Sequence, residues 1–166
     1  KVCEGFLDGG VIPTLKHIPG HGRATCDSHE WLPVVTASWD DLEIHDFIPF
    51  RELSDMPWAM TAHVVYEAID PEHPATTSVS VIEKVVRGHM GFDGVLVSDD
   101  LSMKALSGDL AERAVGALEA GCDLALHCNG EMKEMEAVAE VFKKYDVKVY
   151  RPQSIKDYNQ IFSRDI

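Results

Sequence analysis

Gly94-Val95-Leu96-Val97-Ser98-Asp99-Asp100 is the stretch that decides the fold class. Its largely apolar run, 94–98, predicts a short strand that is covered on both faces, and two carboxylates follow directly at the carboxyl end. Helices are predicted on either side, one beginning at Ser80 with Glu83 and the next at Asp109 with Glu112. A buried strand between two amphipathic helices is typical of a parallel α/β sheet.

The same alternation extends in both directions from this strand. Further strands are predicted at 11–17, 58–64 and 123–127, further helices at 40–48, begun by Asp40 with Glu43, and at 131–144, and a weak strand at 147–150. The chain is thus predicted to supply four βα units without a linker, which is half of a (β/α)8 barrel of the TIM type. We expect residues 1–166 to form a single domain. A small doubly wound sheet has the same alternation and stays open as an alternative.

Composition narrows the functional classes. The 166 residues carry a net charge of −13, which disfavours non-specific binding to nucleic acid or to anionic membranes. No apolar stretch approaches the ~20 residues of a membrane span, and the first ten residues lack the apolar core of a signal peptide. We therefore expect a cytoplasmic protein that binds neither nucleic acid nor membrane. The four cysteines form no CxxC pair and are expected to be free thiols.

The loop after the first predicted strand is the richest in chemical groups. It runs from Lys16-His17 through Pro19, Gly20 and Gly22 to Asp27-Ser28-His29. In an extended backbone Asp27 and His29 project to the same side, so the carboxylate can orient the imidazole and raise its pKa, as a general acid/base requires. An ordinary solvated loop is the alternative.

A metal site is the third interpretation of this loop. His17, His21, Cys26 and His29 could form a ligand cluster, although their spacing matches no common zinc pattern. The chain also lacks the glycine-rich motifs that cradle dinucleotides or nucleotide phosphates.

Asp99 and Asp100 are the second group of candidates, because barrel enzymes keep catalytic residues at the carboxyl ends of strands. Side chains alternate along a strand, so one of the two is expected to face the site, and periodicity leaves open which. His63, near the end of the second strand, either reaches the same face or is a core histidine.

Four segments together resemble the bacterial β-N-acetylglucosaminidases of glycoside hydrolase family 3, in the order in which that family carries them. They are Lys16-His17-Ile18-Pro19-Gly20-His21-Gly22, Asp27-Ser28-His29 with Leu32-Pro33, Met60-Thr61-Ala62-His63-Val64, and Gly91-Phe92-Asp93-Gly94 through Ser98-Asp99-Asp100-Leu101-Ser102-Met103.

The resemblance implies a (β/α)8 hydrolase of peptidoglycan recycling that removes terminal N-acetylglucosamine from cytoplasmic muropeptides. It implies a retaining mechanism without metal or cofactor, in which Asp99 is the nucleophile and His29, paired with Asp27, is the general acid/base. Lys16 and His17 resemble the pair that holds sugar hydroxyls. His63 is a further substrate-binding candidate because of its position near the end of the second predicted strand.

Members of this family are about twice as long as this chain, so the chain corresponds to the C-terminal part of the barrel and the first four units would precede Lys1. A half barrel exposes strand edges and an apolar face, which predicts self-association. Three hypotheses follow: a glycosidase, a non-catalytic fragment that binds N-acetylglucosamine, and a metal hydrolase that uses the histidine cluster.

Overall fold

The computed structural model describes residues 1–144, which divide into two units. The described part of the second unit, which begins at Glu131, contains the helix Met132–Lys144. The weak strand predicted at 147–150 lies outside the described residues. Among residues 1–144 no helix has both the length and the apolar composition needed to cross a membrane.

The first unit, Lys1–Gly130, consists of short strands and helices. The strands are β1 (Thr14–Ile18), β2 (Val34–Val35), β3 (Trp58–Thr61), β4 (Val65–Tyr66), β5 (Asp70–Pro74) and β6 (Val95–Val97). The α-helices are α1 (Val2–Asp8), α2 (Trp39–Asp41), α3 (Ile48–Arg51) and α4 (Leu110–Glu119), and the helix of the second unit is α5. Helices with π-type hydrogen bonding cover Leu42–Asp46 and Ser80–His89, and a 3₁₀ turn covers Ala75–Thr77.

The sheet that carries the candidate residues is parallel, in the order β1, β3, β6. Three of the four predicted strands are therefore present as neighbours in chain order, which confirms an α/β fold. The fourth is reduced to a bridge between Val97 and Leu124. Four backbone hydrogen bonds join it to β6 and the turn that follows. Ser98 donates to the Leu124 carbonyl (2.9 Å), Leu101 donates to the Leu126 carbonyl (2.8 Å), and Asp123 and Leu124 donate to the Leu96 carbonyl (2.8 and 3.2 Å).

A second sheet, of β2, β4 and β5, was not predicted. β2 pairs parallel with β4, and β4 pairs antiparallel with β5. Two of these strands are two residues long, and the third, Asp70–Pro74, contains prolines and charged residues, so none has the alternation that reveals a strand. The predicted strand at 58–64 accordingly ends at Thr61, and the chain enters the second sheet from residue 65.

Helix α4 begins as its sequence predicts. The Asp109 carboxylate accepts the Glu112 backbone N–H at 2.9 Å, and the Glu112 carboxylate accepts the Asp109 N–H at 2.9 Å. This reciprocal capping box satisfies two backbone N–H groups that have no partner within the helix.

The other two predicted helices begin at Ser80 and at Trp39, close to the predicted positions, but the residues predicted to cap them lie two positions too far along the chain. Ser78, not Ser80, accepts a backbone N–H at the start of the helix over Ser80–His89, and Ser38, not Asp40, does so for α2. In each case a serine two positions upstream precedes the helix, where its hydroxyl meets the N–H three residues on.

The core of the first unit takes buried side chains from the central sheet, such as Ala59 and Leu96, and from the helix Ser80–His89. The buried residues of this helix, Val81, Ile82, Val85 and Val86, share the face that the sequence predicts. Close packing continues at the entry to β6. A Cβ on Gly94 would lie 2.6 Å from the Pro57 carbonyl oxygen, so only glycine fits there. This packing fixes β6, and with it the turn that begins at Ser98.

Candidate active site

The last residues of β1, the loop after it and the turn after β6 meet at an open cleft. Its volume is about 480 Å³, and it is lined by Lys16, His17, His21, Gly22, Asp27, Ser28, His29 and Asp99. Five of the six predicted site residues line this cleft together, although they come from positions more than eighty residues apart in the sequence. The sixth, His63, lies in the core.

Asp27 and His29 form a hydrogen-bonded pair. His29 Nδ1 lies 2.7 Å from Asp27 Oδ1, and the His29 backbone N–H donates to the same oxygen at 2.9 Å. The pairing was predicted, but the backbone is a turn and not an extended segment, because the N–H groups of Glu30 and Trp31 donate to the Asp27 carbonyl. The turn places both donors of His29 on one carboxylate oxygen.

The hydrogen bonds between Asp27 and His29 change the pKa of both side chains. Hydrogen bonds from the His29 backbone and ring lower the pKa of Asp27, and the hydrogen bond from Asp27 raises the pKa of His29. Among the described residues His29 Nε2 has no hydrogen-bond partner, and the side chain is 73% exposed. His29 can therefore give a proton to a molecule in the cleft and take one back.

The loop that carries this pair is attached to the first unit at both ends. At its start the buried Tyr66 hydroxyl donates to the Gly20 carbonyl at 2.6 Å. At its end the Lys104 backbone N–H donates to the His29 carbonyl at 3.2 Å, and Lys104 Nζ lies 2.6 Å from Glu30 Oε2. Lys104 follows the turn of Asp99, so the two catalytic candidates are linked through the backbone.

Asp99 is held on several sides and is 14% exposed. Its Oδ1 accepts the Asp100 N–H at 2.9 Å, its Oδ2 lies 3.5 Å from His17 Nε2, and its own N–H donates to Thr61 Oγ1 at 3.3 Å. A carboxylate fixed in this way presents an oxygen to the cleft in one orientation, which is what a nucleophile requires.

Asp100 has a different role. Its Oδ1 accepts the backbone N–H groups of Ser102 (3.1 Å) and Cys128 (3.3 Å), and its Oδ2 accepts the Ser102 hydroxyl at 2.6 Å. Partial burial acts to raise its pKa, but these hydrogen bonds prevail and lower it. Asp100 closes the turn, and of the two neighbouring carboxylates Asp99 is the one that lines the cleft.

Lys16 and His17 both line the cleft although they are consecutive. Strand side chains normally alternate between faces, but the pairing of β1 with β3 shifts register between Lys16 and Ile18, so β1 is irregular where these two residues lie. Burial lowers the pKa of His17, against the opposing effect of the Asp99 carboxylate. The ring also lies 5.5 Å from the ring of His21.

His63 is a core histidine in this structure. It is fully buried, its Nδ1 lies 2.7 Å from Thr76 Oγ1, and its Nε2 lies 3.0 Å from the Asp100 carbonyl oxygen. Both ring nitrogens are occupied by protein atoms, so the direct sugar contact predicted for His63 is not what the structure shows. The ring lies beneath the turn of Asp99 and not in the cleft.

Residues 1–144 contain no group of three or more histidine, cysteine, aspartate or glutamate side chains arranged to hold a metal ion. The four residues of the metal hypothesis are therefore not gathered into a ligand set in the described part of the chain. Its four cysteines are free thiols.

Sequence reasoning missed Thr61 and Thr76. Thr61 stands in a segment that was singled out for His63, and its position at the end of β3 next to β6 could have suggested a contact with the turn after β6. Thr76 lies in a 3₁₀ turn fifteen residues later and had no signal in the sequence.

The fold and the cleft define an α/β protein that gathers carboxylates and an imidazole at the carboxyl ends of parallel strands. Residues 1–156 match the family described as "Glycosyl hydrolase family 3 N terminal domain". The chain belongs to this family.

Individual relatives agree with this assignment. A beta-hexosaminidase of Alkalilimnicola ehrlichii is 47% identical over 129 residues, 75% of this chain and 37% of that protein. Zn-bound CbsA from Thermotoga neapolitana is 37% identical with a TM-score of 0.82, over 97% of this chain and 38% of that one. NagZ from Neisseria gonorrhoeae in complex with N-trifluoroacetyl-D-glucosamine is 36% identical with a TM-score of 0.75, over 97% and 45%. The chain spans about two fifths of the length of the curated relatives it matches.

Proposed function

We propose that this chain carries the catalytic residues of a retaining exo-β-N-acetylglucosaminidase. The observation that carries the proposal is the cleft, in which Asp99 stands together with the hydrogen-bonded pair of Asp27 and His29. A nucleophilic carboxylate and a separate proton donor are the two groups that retaining glycoside hydrolysis needs.

In the first step a carboxylate oxygen of Asp99 attacks the anomeric carbon of the terminal sugar. The glycosidic C–O bond breaks, and His29 Nε2 donates its proton to the departing oxygen. Positive charge is lost from the imidazolium as it becomes neutral, and Asp27 holds the ring through Nδ1 during the transfer. The product is a glycosyl ester on Asp99 and a free aglycone.

In the second step water attacks the same anomeric carbon. The now neutral His29 takes a proton from the water through Nε2, the ester bond to Asp99 breaks, and the sugar leaves with its original configuration. Most retaining enzymes use a second carboxyl group for these transfers. An imidazole whose pKa is raised by Asp27 serves at neutral pH because it exchanges protons there.

Sugar binding is assigned to Lys16 and His17, which line the cleft beside Asp99. An ammonium group and a partly buried ring offer hydrogen bonds to hydroxyls on one side of a pyranose. Because relatives are beta-hexosaminidases, and one was solved with an N-acylated glucosamine derivative, terminal N-acetylglucosamine is the proposed substrate. Muropeptides from peptidoglycan, in the cytoplasm, are the proposed natural source.

We further propose that residues 1–166 form part of one (β/α)8 barrel domain. The parallel order β1, β3, β6 followed by the bridge at Leu124 supports four successive strands of a barrel. A barrel site is completed by loops from all strands, so the remaining strands come from elsewhere in the parent enzyme or from a second copy of this chain.

The test is hydrolysis of a chromogenic aryl β-N-acetylglucosaminide by the purified 166-residue chain, with Asp99→Asn and His29→Ala beside it. We expect turnover that Asp99→Asn abolishes and His29→Ala lowers, and a fluorinated N-acetylglucosaminyl substrate that labels Asp99 in peptide mapping. A label on another residue would contradict the assigned nucleophile. Binding of N-acetylglucosamine by a folded chain without turnover would favour the non-catalytic fragment, and activity lost to a chelator would favour the metal hydrolase.

A further inference from the structure

We propose that Thr61, Thr76 and His63 form a buried hydrogen-bonded relay that positions the nucleophile Asp99 by holding the backbone on both sides of it. The proposal rests on the proposed function for the role of Asp99. None of the three residues reaches the cleft, so each is a positioning residue and not a catalytic one.

The relay is continuous from one side of Asp99 to the other. The Asp99 N–H lies 3.3 Å from Thr61 Oγ1, which lies 2.8 Å from Thr76 Oγ1. Thr76 Oγ1 lies 2.7 Å from His63 Nδ1, and His63 Nε2 lies 3.0 Å from the carbonyl oxygen of Asp100. The relay therefore joins the backbone N–H of Asp99 at one end to the backbone carbonyl of Asp100 at the other.

The direction of each hydrogen bond follows from the carbonyl. A carbonyl oxygen can only accept, so His63 Nε2 carries a proton. Burial lowers the pKa of His63, so the ring is neutral and Nδ1 accepts the proton of Thr76. Thr76 then accepts from Thr61, and Thr61 accepts from the Asp99 N–H. Thr76 also donates to the Ala62 carbonyl at 3.1 Å, so its single proton is shared between this carbonyl and His63 Nδ1.

The relay supports the backbone between two remaining strand-like hydrogen bonds, those of the Ser98 and Leu101 N–H groups with the Leu124 and Leu126 carbonyls. β6 ends at Val97, and the bridge to the following strand involves that residue. Beyond it, the Asp99 N–H donates to Thr61 and to no β strand, and the Asp100 carbonyl accepts the Met103 N–H at 3.1 Å together with the proton of His63 Nε2. All three relay side chains are at most 1% exposed. Burial of a polar group without a hydrogen-bond partner reduces stability. The three side chains and the turn therefore hold one another in position.

The ring of His17 reports the position of Asp99 without any need for turnover. His17 Nε2 lies 3.5 Å from Asp99 Oδ2, and the carboxylate acts to raise the pKa of His17. If Asp99 moves away, this effect weakens and the His17 titration moves to lower pH. Asp99→Asn removes the charge and sets the full size of the shift.

The experiment compares Thr76→Val, which removes the hydroxyl at nearly constant shape, with Thr76→Ser, which keeps it. Thr77→Val, in the same 3₁₀ turn, is the matched control, because Thr77 Oγ1 makes only a 3.5 Å contact with the Pro74 carbonyl. Histidine ring resonances of the folded 166-residue chain are followed by NMR from pH 5 to pH 9. We expect the neutral wild-type His63 ring to carry its proton on Nε2, next to the Asp100 carbonyl.

Thr76→Val should move the His17 titration in the same direction as Asp99→Asn and by less, while Thr76→Ser and Thr77→Val leave it unchanged. In a chain or assembly that turns over substrate, Thr76→Val should lower kcat about 10- to 100-fold with little change in KM. If Thr76→Val does not fold, Thr61→Val against Thr61→Ser replaces it.

A His17 titration that is unchanged in a folded Thr76→Val chain would overturn the relay. So would a His63 ring protonated on Nδ1 instead of Nε2. These outcomes stand apart from failure of the proposed function, which shows itself as a wild-type chain without turnover or with a labelled residue other than Asp99. The relay can therefore be rejected or supported whichever way the glycosidase assay turns out.

Discussion

The two catalytic candidates are held in opposite ways. His29 and Asp27 are 73% and 67% exposed on a loop and depend on each other for their geometry, whereas Asp99 is 14% exposed and is fixed by neighbours from β1, β3 and its own turn. The proton donor therefore has room to move and the nucleophile does not.

This difference matches the demands of the proposed reaction. A nucleophile must meet the anomeric carbon within a few tenths of an ångström, and misplacement is costly. A general acid must reach the leaving oxygen and afterwards an incoming water molecule, so a loop that adjusts between steps is an advantage. Substitutions on the exposed loop should therefore change the reaction rate alone. Substitutions at the turn of Asp99 should change both the rate and the stability of the protein.

The largest effect is expected at Asp99. Asp99→Asn should lower kcat on the order of 10⁴-fold or more, because no covalent intermediate can form. Asp100→Asn should lower kcat far less and instead destabilise the protein by about 1–3 kcal/mol, because the amide satisfies the turn less well than the carboxylate. Steady-state kinetics and thermal unfolding of both variants measure the contrast. Equal losses of activity would contradict the separation of the two carboxylates.

The next largest effect is expected for His29→Ala, which should lower kcat about 10²- to 10⁴-fold toward substrates with poor leaving groups. Aryl substrates with acidic phenols need little protonation and should lose much less. Because the side chain is exposed, the melting temperature should stay within a degree or so of wild type. A series of aryl β-N-acetylglucosaminides provides the measurement, and a loss independent of the leaving group would exclude His29 as the acid.

Asp27→Asn should change the pH dependence more than the maximal rate. The carboxylate raises the pKa of His29, and the acid form of His29 is required for the first step, so removal of the charge should move the alkaline limb of kcat/KM to lower pH. Any contribution of the pair to folding is present between the lowered pKa of Asp27 and the raised pKa of His29 and is lost on either side. An alkaline limb that stays in place would show that another group controls it.

The smallest effect is expected from the ion pair of Lys104 with Glu30, which is largely exposed. Such pairs contribute about 0–1 kcal/mol, and the backbone hydrogen bond from Lys104 to His29 survives a side-chain substitution. Lys104→Met should therefore reduce kcat less than about fivefold. The matched variant Glu30→Gln should behave alike, and a reduction comparable with that of His29→Ala would mean that this pair holds the loop.

Much of this arrangement could be predicted, and the failures have physical causes. The apolar run 94–98 and the capping box of Asp109 are local signals, so β6 and α4 were found. Asp27 and His29 are two residues apart, and their pairing needs only a local turn. The second sheet, by contrast, is built from short strands without periodicity, so no local signal marks it.

The position of His63 shows the limit most clearly. Its neighbours in sequence place it near the site, but its partners are Thr76 and the Asp100 carbonyl, thirteen and thirty-seven residues away. Whether a histidine lies in a cleft or beneath it depends on such distant contacts, which neither spacing nor composition encodes. The choice between Asp99 and Asp100 was likewise decided by contacts from Thr61, Ser102 and Cys128.

The strand order has a consequence for the time course of folding. Lys16 pairs with Met60, and Met60 pairs with Val97, so each parallel pairing closes a loop of about 40 residues. Pairings this remote in sequence form slowly, whereas helices such as α4 need only local contacts. During refolding, circular dichroism should therefore recover its helical signal early, while the Asp99–His17 contact is completed late, when β6 joins β3. Newly synthesised chains would pass through a helical, still incompetent stage before the cleft exists.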